Sequence, residues 1–333
     1  MKFRSIAGLS AVMAAIALFA TAEKSVPTHP ADFRDSPSGI FDGLSGGRTN
    51  AAAGALPVPL AAPASDPAAE VLPTESEIAD VVKAQDFDFD NIGIAITYFS
   101  PSNRQVSYQH DPDKWWYPAS TTKVVILTYA YYDAYVHRAP GEDFDQAAIA
   151  ADDPYISKMI RASDNDATTH LAKKYGEDNI RSFPKRVLGY DGIETGWKKL
   201  AGPDRVTALG MNRLLSYIYD DGDTAAIALP VKKKIRSWLE LPKVGQLGIQ
   251  NKPILHFLND PELPNPYDPQ SGLTVGMKGG WTDDVGSGHV ACFNWKTGGS
   301  RWTVTVYRKG NWGYFGKIGT LHRDLFLLFK DKR

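Results

Sequence analysis

Residues 117–123 read Tyr117-Pro118-Ala119-Ser120-Thr121-Thr122-Lys123 and lead directly into an apolar, aromatic-rich run. A proline fits the start of a helix, because the first helical N–H groups have no partner within the helix. If Ser120 lies in the first turn, Lys123 follows three residues later on the same face. A lysine amine held neutral by burial can take the proton of a serine hydroxyl. The pair is therefore a candidate nucleophile and base, although S-x-x-K alone also occurs by chance.

Two further motifs follow along the chain, Ser163-Asp164-Asn165 and Lys278-Gly279-Gly280. The order S-x-x-K, S-D-N, K-x-G is the signature of class A β-lactamases and penicillin-binding proteins. From about residue 74 to the C-terminus, the chain resembles the penicillin-recognising serine hydrolase superfamily. It is most similar to class A β-lactamases, with D,D-carboxypeptidase-like features in the P-A-S-x-T-K form of the first motif.

The resemblance implies a catalytic role for three residues. Ser120 is the expected nucleophile, Lys123 takes its proton, and Ser163 passes a proton to the leaving nitrogen. Asp164 is expected to brace the loop of the second motif. Read without the other motifs, S-D-N also fits a helix N-cap.

The resemblance also implies a set of substrate-binding residues, namely Asn165, Lys278, Gly280, Trp281 and Thr282. The backbone N–H of Trp281 is expected to form an oxyanion hole with that of Ser120. A literal K-T-G also occurs at Lys296, but it lies between two strand patterns and reads as a hairpin turn. We therefore assign the third motif to Lys278, which follows a strand pattern.

The chain departs from the family pattern at two places. Gly279 stands where the family has a hydroxyl residue, and Thr282 is a candidate replacement for it. The E-x-x-x-N motif of class A β-lactamases is not found, since Glu194 lacks an asparagine four residues later. We interpret Glu194 as a surface loop residue and expect an acyl-enzyme on Ser120 to turn over slowly.

The N-terminal part of the sequence predicts export. Residues 1–22 combine a basic start, an uncharged apolar stretch and an A-x-A ending, which is typical of a signal peptide. An uncleaved membrane anchor is the alternative. Residues 23–73 are rich in Pro, Ala, Gly and Ser and predict a disordered linker. We expect a periplasmic or extracellular protein with one catalytic domain over 74–333.

The periodicity of residues 74–333 predicts an α+β fold. A T-x-x-E capping box at Thr74 and Glu77 predicts a first helix. Strand patterns occupy 91–98, 104–110, 273–277, 288–295 and 302–307. Further helices are expected near 153–175, 205–219, 230–241 and 314–329. These elements describe a mainly antiparallel sheet built from both chain ends, flanked by helices, with a helical lobe inserted over about 115–270.

Composition restricts the partners. The chain carries 37 basic and 38 acidic residues, which gives no electrostatic case for nucleic-acid binding. The basic run 232–236 is interpreted as a solvated helix face. Cys292 is interpreted as a buried apolar residue. No histidine pair has a metal-ligand spacing, and we expect no cofactor, no metal and a monomer.

The leading hypothesis is an exported serine hydrolase that forms an acyl-enzyme and cleaves a β-lactam amide. A peptidoglycan D-alanyl-D-alanine carboxypeptidase uses the same chemistry and remains an alternative. A non-catalytic domain that binds muropeptide or β-lactam is the alternative from a different class.

Overall fold

A five-stranded antiparallel sheet lies at the centre of the protein, and its strands lie side by side in the order Gln105–His110, Ile92–Phe99, Ser300–Lys309, Gly286–Trp295 and Leu273–Trp281. The computed structural model describes residues 70–197, 204–222, 226–240, 257, 259–282, 285–310 and 315–332. The strands are β1 (Ile92–Phe99), β2 (Gln105–His110), β5 (Leu273–Trp281), β6 (Gly286–Trp295) and β7 (Ser300–Lys309), and a small second sheet pairs β3 (Ile193–Glu194) with β4 (Arg205–Val206). The predicted α+β fold is confirmed.

Both chain ends build this sheet, as the sequence predicts. Strand β1 lies between β2 and β7, so that Ile92 pairs with Arg308. The predicted signal peptide (1–22) and nearly all of the predicted linker (23–73) lie outside the described residues. Within the part of the chain that the structure describes, no helix is both long enough and apolar enough to cross a membrane.

Two helices cover one face of the sheet. They are α1 (Glu75–Lys83) and α8 (Phe315–Phe329). The predicted capping box is confirmed, since the Glu77 backbone N–H donates to the Thr74 side chain and Glu77 accepts from the Thr74 N–H. The predicted alternation in β1 is also confirmed, because Ile92, Ile94 and Ile96 are buried in this apolar layer.

The helical lobe covers the other face. It comprises α2 (Thr122–Val136), α3 (Gln146–Arg161), α4 (Asn165–Tyr175), α5 (Glu177–Leu188), α6 (Ala208–Tyr219) and α7 (Leu229–Leu239). The prediction of one helix near 153–175 is wrong. The chain breaks at 162–164 because Asp164 caps the N-terminus of α4 by accepting a hydrogen bond from Ala167 N–H at 2.7 Å. Helix α5 is a further element that the periodicity did not predict.

Helix α2 runs through the middle of the lobe. Every residue from Thr122 to Tyr131 is buried, including Lys123. A helix that is buried on all sides needs an apolar residue at almost every position, which the run after Lys123 supplies. This burial places the first turn of α2 against the sheet, where the candidate nucleophile lies.

The interpretation of the basic run as a solvated face is wrong for two of its residues. Lys232 is fully buried and donates to the carbonyl of Gly222 at 2.9 Å. Arg236 donates to the carbonyls of Ile218 and Asp220 at 2.7 and 2.8 Å. Both cations therefore satisfy carbonyl groups at and just beyond the C-terminus of α6, where the helix dipole also favours positive charge.

Replacing Arg236 with methionine is expected to lower the free energy of unfolding by about 2–4 kcal/mol, because the Ile218 carbonyl loses its charged donor and the half-buried Asp220 carbonyl keeps only Lys232, at 3.3 Å. Urea denaturation followed by circular dichroism measures the change. Lys234→Met is the matched control on the same helix, since Lys234 is exposed, and it is expected to change stability by less than about 0.5 kcal/mol. Equal effects of the two substitutions would contradict the capping role of Arg236.

Candidate active site

Ser120 lies in a short 3₁₀ turn, Ala119–Thr121, immediately before α2. Ala119 has φ of +48°, a left-handed conformation that costs free energy for a residue with a Cβ atom. The turn is fixed by the buried Thr121 hydroxyl, which donates to the Pro118 carbonyl at 2.6 Å and also contacts the Tyr307 hydroxyl at 2.7 Å. The expected helical first turn is thus a 3₁₀ turn that holds the serine at the cleft.

Lys123 lies one turn further along and faces the serine. Its Nζ atom is 3.2 Å from Ser120 Oγ. The same amine donates to the backbone carbonyl of Ser163 at 2.6 Å and to Asn165 Oδ1 at 2.9 Å, and it lies 3.0 Å from Ser163 Oγ. The first and second motifs are therefore in direct contact through this one amine.

Burial changes the proton affinity of this lysine. Removal from water lowers the pKa of Lys123 to about 8, and the nearby charge of Asp164 opposes this shift. A substantial fraction of the amine is then neutral near pH 8. A neutral amine in contact with a hydroxyl is able to accept its proton.

The pKa of Lys123 predicts a pH profile for acylation of Ser120. Only the neutral amine accepts a proton, so the rate constant at saturating substrate is expected to rise about tenfold per pH unit below about 8 and then to level off. Labelling with a fluorescent penicillin between pH 6 and 9.5 measures it. The nearby charge of Asp164 acts on Lys123 in the opposite direction to burial. A flat or falling profile over this range would contradict the assignment of Lys123 as base.

The second motif lies in the break between α3 and α4. Ser163 has φ of +54°, and Asp164 is the N-cap of α4. The predicted bracing role of Asp164 is confirmed by its cap hydrogen bond to Ala167. The N-cap interpretation is confirmed for Asp164, and the cap turns the chain so that Ser163 and Asn165 reach Lys123.

The third motif brings a second buried amine to the same place. Lys278 lies on β5 with 2% of its surface exposed. Its Nζ donates to Ser163 Oγ at 3.0 Å and to the Gly279 carbonyl at 2.8 Å. Burial, reinforced by the charge of Lys123, lowers the pKa of Lys278 well below its usual value. Ser163 Oγ thus connects the two amines across the cleft.

Strand β5 approaches the nucleophile with its backbone. A Cβ atom on Gly280 would lie only 2.2 Å from the Ser120 backbone nitrogen, so this position requires glycine. Thr282 N–H donates to the Gly286 carbonyl, which sets the hydrogen-bonding register between β5 and β6. In that register the N–H of Trp281 points away from β6, toward the open edge of β5.

Two other residues assigned from the sequence, Thr282 and Lys296, lie in the turns that follow β5 and β6. The hydroxyl of Thr282 donates to the Gly286 carbonyl and accepts from the N–H groups of Val285 and Gly286. It therefore closes the β5–β6 turn, and the geometry does not support its predicted contact with substrate. Lys296 lies in the turn that joins β6 to β7, in agreement with its interpretation as a turn residue.

Glu194 lies in β3, not in a loop. It pairs with Arg205 on β4 at 2.7 Å, and its side chain is 43% exposed. Its interpretation as a surface loop residue is therefore wrong as to the loop, although the side chain is partly exposed. Among the described residues, no Asp or Glu side chain makes a hydrogen bond or an ion pair with Ser120 or Lys123.

A tryptophan that the sequence motifs did not identify covers Lys123. The Trp197 ring centroid lies 5.1 Å from Lys123 Nζ, within the range of a cation–π contact. Its indole N–H donates to the Thr169 hydroxyl at 3.0 Å, and its backbone N–H donates to Asp204 at 3.3 Å. Trp197 also has φ of +68°. No sequence motif identifies Trp197, because its position over Lys123 depends on a left-handed backbone conformation. The amino-acid preferences of the local sequence do not predict that conformation.

Two histidines and the single cysteine of the sequence pack against other side chains or are buried. His170 stacks on Tyr155 with 3.7 Å between ring centroids, and His289 is buried against His322 at 2.9 Å between their Nε2 atoms. Cys292 is buried, as predicted. Within the described ranges, no cluster of three or more His, Cys, Asp or Glu side chains has metal-binding geometry.

Comparison with known proteins identifies the fold. No protein-family model matches the sequence, and no curated protein matches it. Solved structures do match. An ancestral class A β-lactamase superposes with a TM-score of 0.54 at 17% identity, over 77% of this chain and 99% of the other. A β-lactamase from Desulfarculus baarsii gives 0.53 at 15% identity, over 76% and 98%.

A class A β-lactamase from Mycobacterium abscessus also gives a TM-score of 0.53, at 16% identity, over 77% of this chain and 99% of the other. At sequence identities this low, the superpositions establish the fold alone. The coverage shows that this fold extends over nearly the full length of the three matched structures. The chain has the β-lactamase-like fold of the penicillin-recognising proteins.

Proposed function

We propose that this protein is a serine hydrolase that opens β-lactam rings through an acyl-enzyme on Ser120. The single observation that supports this most directly is the contact of Lys123 Nζ with both Ser120 Oγ and Ser163 Oγ, at 3.2 and 3.0 Å. A nucleophile, a base of lowered pKa and a proton donor then share one cluster, as acyl transfer requires.

In the acylation reaction that this geometry supports, each proton has a defined donor and acceptor. Ser120 Oγ attacks the lactam carbonyl carbon while its proton moves to Lys123 Nζ. The carbonyl oxygen becomes an oxyanion, which the backbone N–H groups of Ser120 and Trp281 stabilise. The C–N bond then breaks and the nitrogen takes the Ser163 hydroxyl proton. Ser163 regains a proton from Lys123, which leaves an ester on Ser120.

Substrate binding is assigned to the groups around this cluster. β-Lactams carry a carboxylate, and the Lys278 amine is a hydrogen-bond donor for it beside Gly280, where the strand carries no side chain. The amide of Asn165 contacts Lys123 through Oδ1, which leaves its NH₂ group available to a substrate carbonyl.

Hydrolysis of the ester is expected to be slow. A water molecule needs a general base to attack the ester, and the described residues place no carboxylate in contact with Ser120 or Lys123. The Trp197 ring over Lys123 also limits access of water to the amine. We therefore propose rapid acylation and slow release.

Slow release favours a second candidate, a peptidoglycan D-alanyl-D-alanine carboxypeptidase. The same serine, lysine and oxyanion groups attack a D-alanyl amide, and a β-lactam then acts as a long-lived acylating inhibitor. The observation that favours this activity is the lack of a carboxylate at the serine among the described residues. Export through residues 1–22 is part of both proposals, and the mass of the mature protein tests it.

Incubation with a fluorescent penicillin followed by denaturing electrophoresis tests the proposal. The native protein is expected to become labelled, Ser120→Ala to remain unlabelled, and Ser182→Ala, a partly exposed serine on α5, to label normally. Loss of label in step with hydrolysis of a chromogenic cephalosporin would identify a β-lactamase. Label that persists for hours, with release of D-alanine from a D-alanyl-D-alanine peptide, would identify a carboxypeptidase. Absence of labelling in the folded native protein would overturn both.

A further inference from the structure

A second cavity lies at the opposite edge of the sheet from the Ser120 cleft. Its volume is about 450 Å³, within the range of pockets that hold small molecules. It is an open cleft bordered by strands β1 and β2 and by helix α6. Four strand spacings separate β2 from β5, which is roughly 19 Å, so a ligand in this cavity lies away from the nucleophile.

One wall of the cavity is the polar face of β2. Gln105, Ser107 and Gln109 line it, while Val106 and Tyr108 point to the opposite, apolar face. From the first glutamine to the second, this wall is roughly 13 Å long. Within the described part of the chain, the carboxamides of Gln105 and Gln109 form no hydrogen bond with protein groups.

The floor of the cavity is a preformed polar network. Asn212, with 1% of its surface exposed, accepts hydrogen bonds from the hydroxyls of Thr97 at 2.8 Å and Thr303 at 3.2 Å. It donates to the Ala95 carbonyl at 3.0 Å. A satisfied network of this kind is rigid, so the floor keeps its shape without a ligand.

Aromatic rings and cations form the remaining walls. Tyr190 and Tyr217 pack edge to face at 6.3 Å. Arg301 lies over the Phe99 ring at 4.3 Å. Arg213 also lines the cavity and forms no ion pair with any carboxylate in the described ranges. The cavity thus combines neutral carboxamides and hydroxyls with aromatic surface and one accessible cation.

We propose that this cavity is a carbohydrate-binding site for a short glycan, in which Arg213 receives an acidic substituent of the sugar. Sugar hydroxyls both donate and accept hydrogen bonds, and so do carboxamides and side-chain hydroxyls. An apolar ligand is disfavoured, because it would leave the polar wall unpaired. A metal ion is disfavoured because Asp220, the one carboxylate among the residues that line the cavity, lies 3.7 Å from Arg301.

Protection of an exposed edge strand is the simpler explanation of the polar face of β2, but it explains fewer of the observed features. Edge strands are usually protected by charged side chains or proline, whereas this wall carries two neutral glutamines. Protection also does not require a concave cleft with a buried Asn212 network and aromatic sides. A glycan site accounts for all three features together.

Isothermal titration calorimetry on the full-length protein tests the site with two probes. One is N-acetylchitotetraose, which is neutral. The other is peptidoglycan glycan strands freed of stem peptides, whose muramic acid residues carry carboxylates. The variants are Gln105→Ala/Gln109→Ala, Arg213→Ala and Ser120→Ala, with Gln146→Ala as the control at an exposed glutamine on α3.

The native protein is expected to bind both glycans, and the double glutamine variant to bind at least about tenfold more weakly. Ser120→Ala and Gln146→Ala are expected to bind as the native protein does. Arg213→Ala is expected to weaken only the carboxylate-bearing glycan. No binding of either glycan, or full binding by the double variant, overturns the site. An equal effect of Arg213→Ala on both glycans overturns the acidic-substituent assignment.

Penicillin labelling of the same variants separates this site from the proposed catalysis. The double glutamine variant is expected to label Ser120 at the native rate, because the cavity and the nucleophile lie at opposite edges of the sheet. If the native protein is labelled by penicillin but does not bind glycan, only the glycan-site proposal is contradicted. If it binds glycan but is not labelled, only the proposed reaction at Ser120 is contradicted. A loss of labelling that follows the loss of glycan binding would overturn the independence of the two sites.

Discussion

Replacing Lys123 with alanine is expected to slow acylation of Ser120 by about 10²–10⁴-fold, the usual contribution of a general base. The amine is the only titratable group in hydrogen-bond contact with Ser120 Oγ within the described residues. Without it, the serine hydroxyl has no acceptor for its proton. The rate of fluorescent penicillin labelling measures the loss.

Lys123→Arg separates the role of base from that of a positive charge. A guanidinium group keeps its charge at all accessible pH values, so we expect this variant to be as slow as Lys123→Ala. Lys173→Ala, an exposed lysine on α4, is expected to acylate normally. Near-native labelling of Lys123→Arg would show that a positive charge at this position is sufficient. Another group would then have to act as the base that produces the pH profile.

Replacing Gly280 with alanine is expected to slow acylation by about 10²–10³-fold, because it displaces the backbone donors of the oxyanion hole. The added Cβ would lie 2.2 Å from the Ser120 nitrogen and 2.8 Å from its Cα. These are backbone atoms in a turn that is already fixed, so β5 and the turn have to separate. Labelling kinetics measure the effect.

Thermal unfolding of Gly280→Ala shows whether the loss of activity is local. We expect a folded protein, because β5 keeps its pairing with β6 along nine residues. Gly316→Ala, in α8, is the control, since a Cβ atom there meets nothing within 4 Å. Native labelling by Gly280→Ala would contradict the close approach of β5 to Ser120.

The parts of the fold that were predicted from sequence are those with a local physical signal. The alternation of Ile92, Ile94 and Ile96 identifies a strand with one apolar face, since side chains of a strand point to alternate faces. The helical lobe buries the opposite face of β1 as well. The apolar face of the closing helix and the capping box at Thr74 are equally local. The three motifs identified the cluster around Ser120 because each carries chemistry in its own few residues.

The parts that were not predicted depend on residues distant in sequence. Lys232 and Arg236 are buried because the C-terminus of α6 lies beside them. The sequence of residues 232–236 alone does not predict that a helix end lies there. The hydroxyl of Thr282 is occupied by a turn that forms only when β6 pairs with β5. Trp197 reaches Lys123 through a left-handed backbone conformation. In each case tertiary structure overrides what the local sequence favours.

The position of β1 in the sheet has a consequence for how the chain folds. Ile92 lies near the start of the domain, yet its partner Arg308 is synthesised after the whole helical lobe. Pairing between such distant segments is slow, because the intervening chain has to be closed into a loop. The early hairpin therefore exposes an unpaired edge until the last strand arrives, and a chain that stops before β7 leaves β1 open to association with other chains.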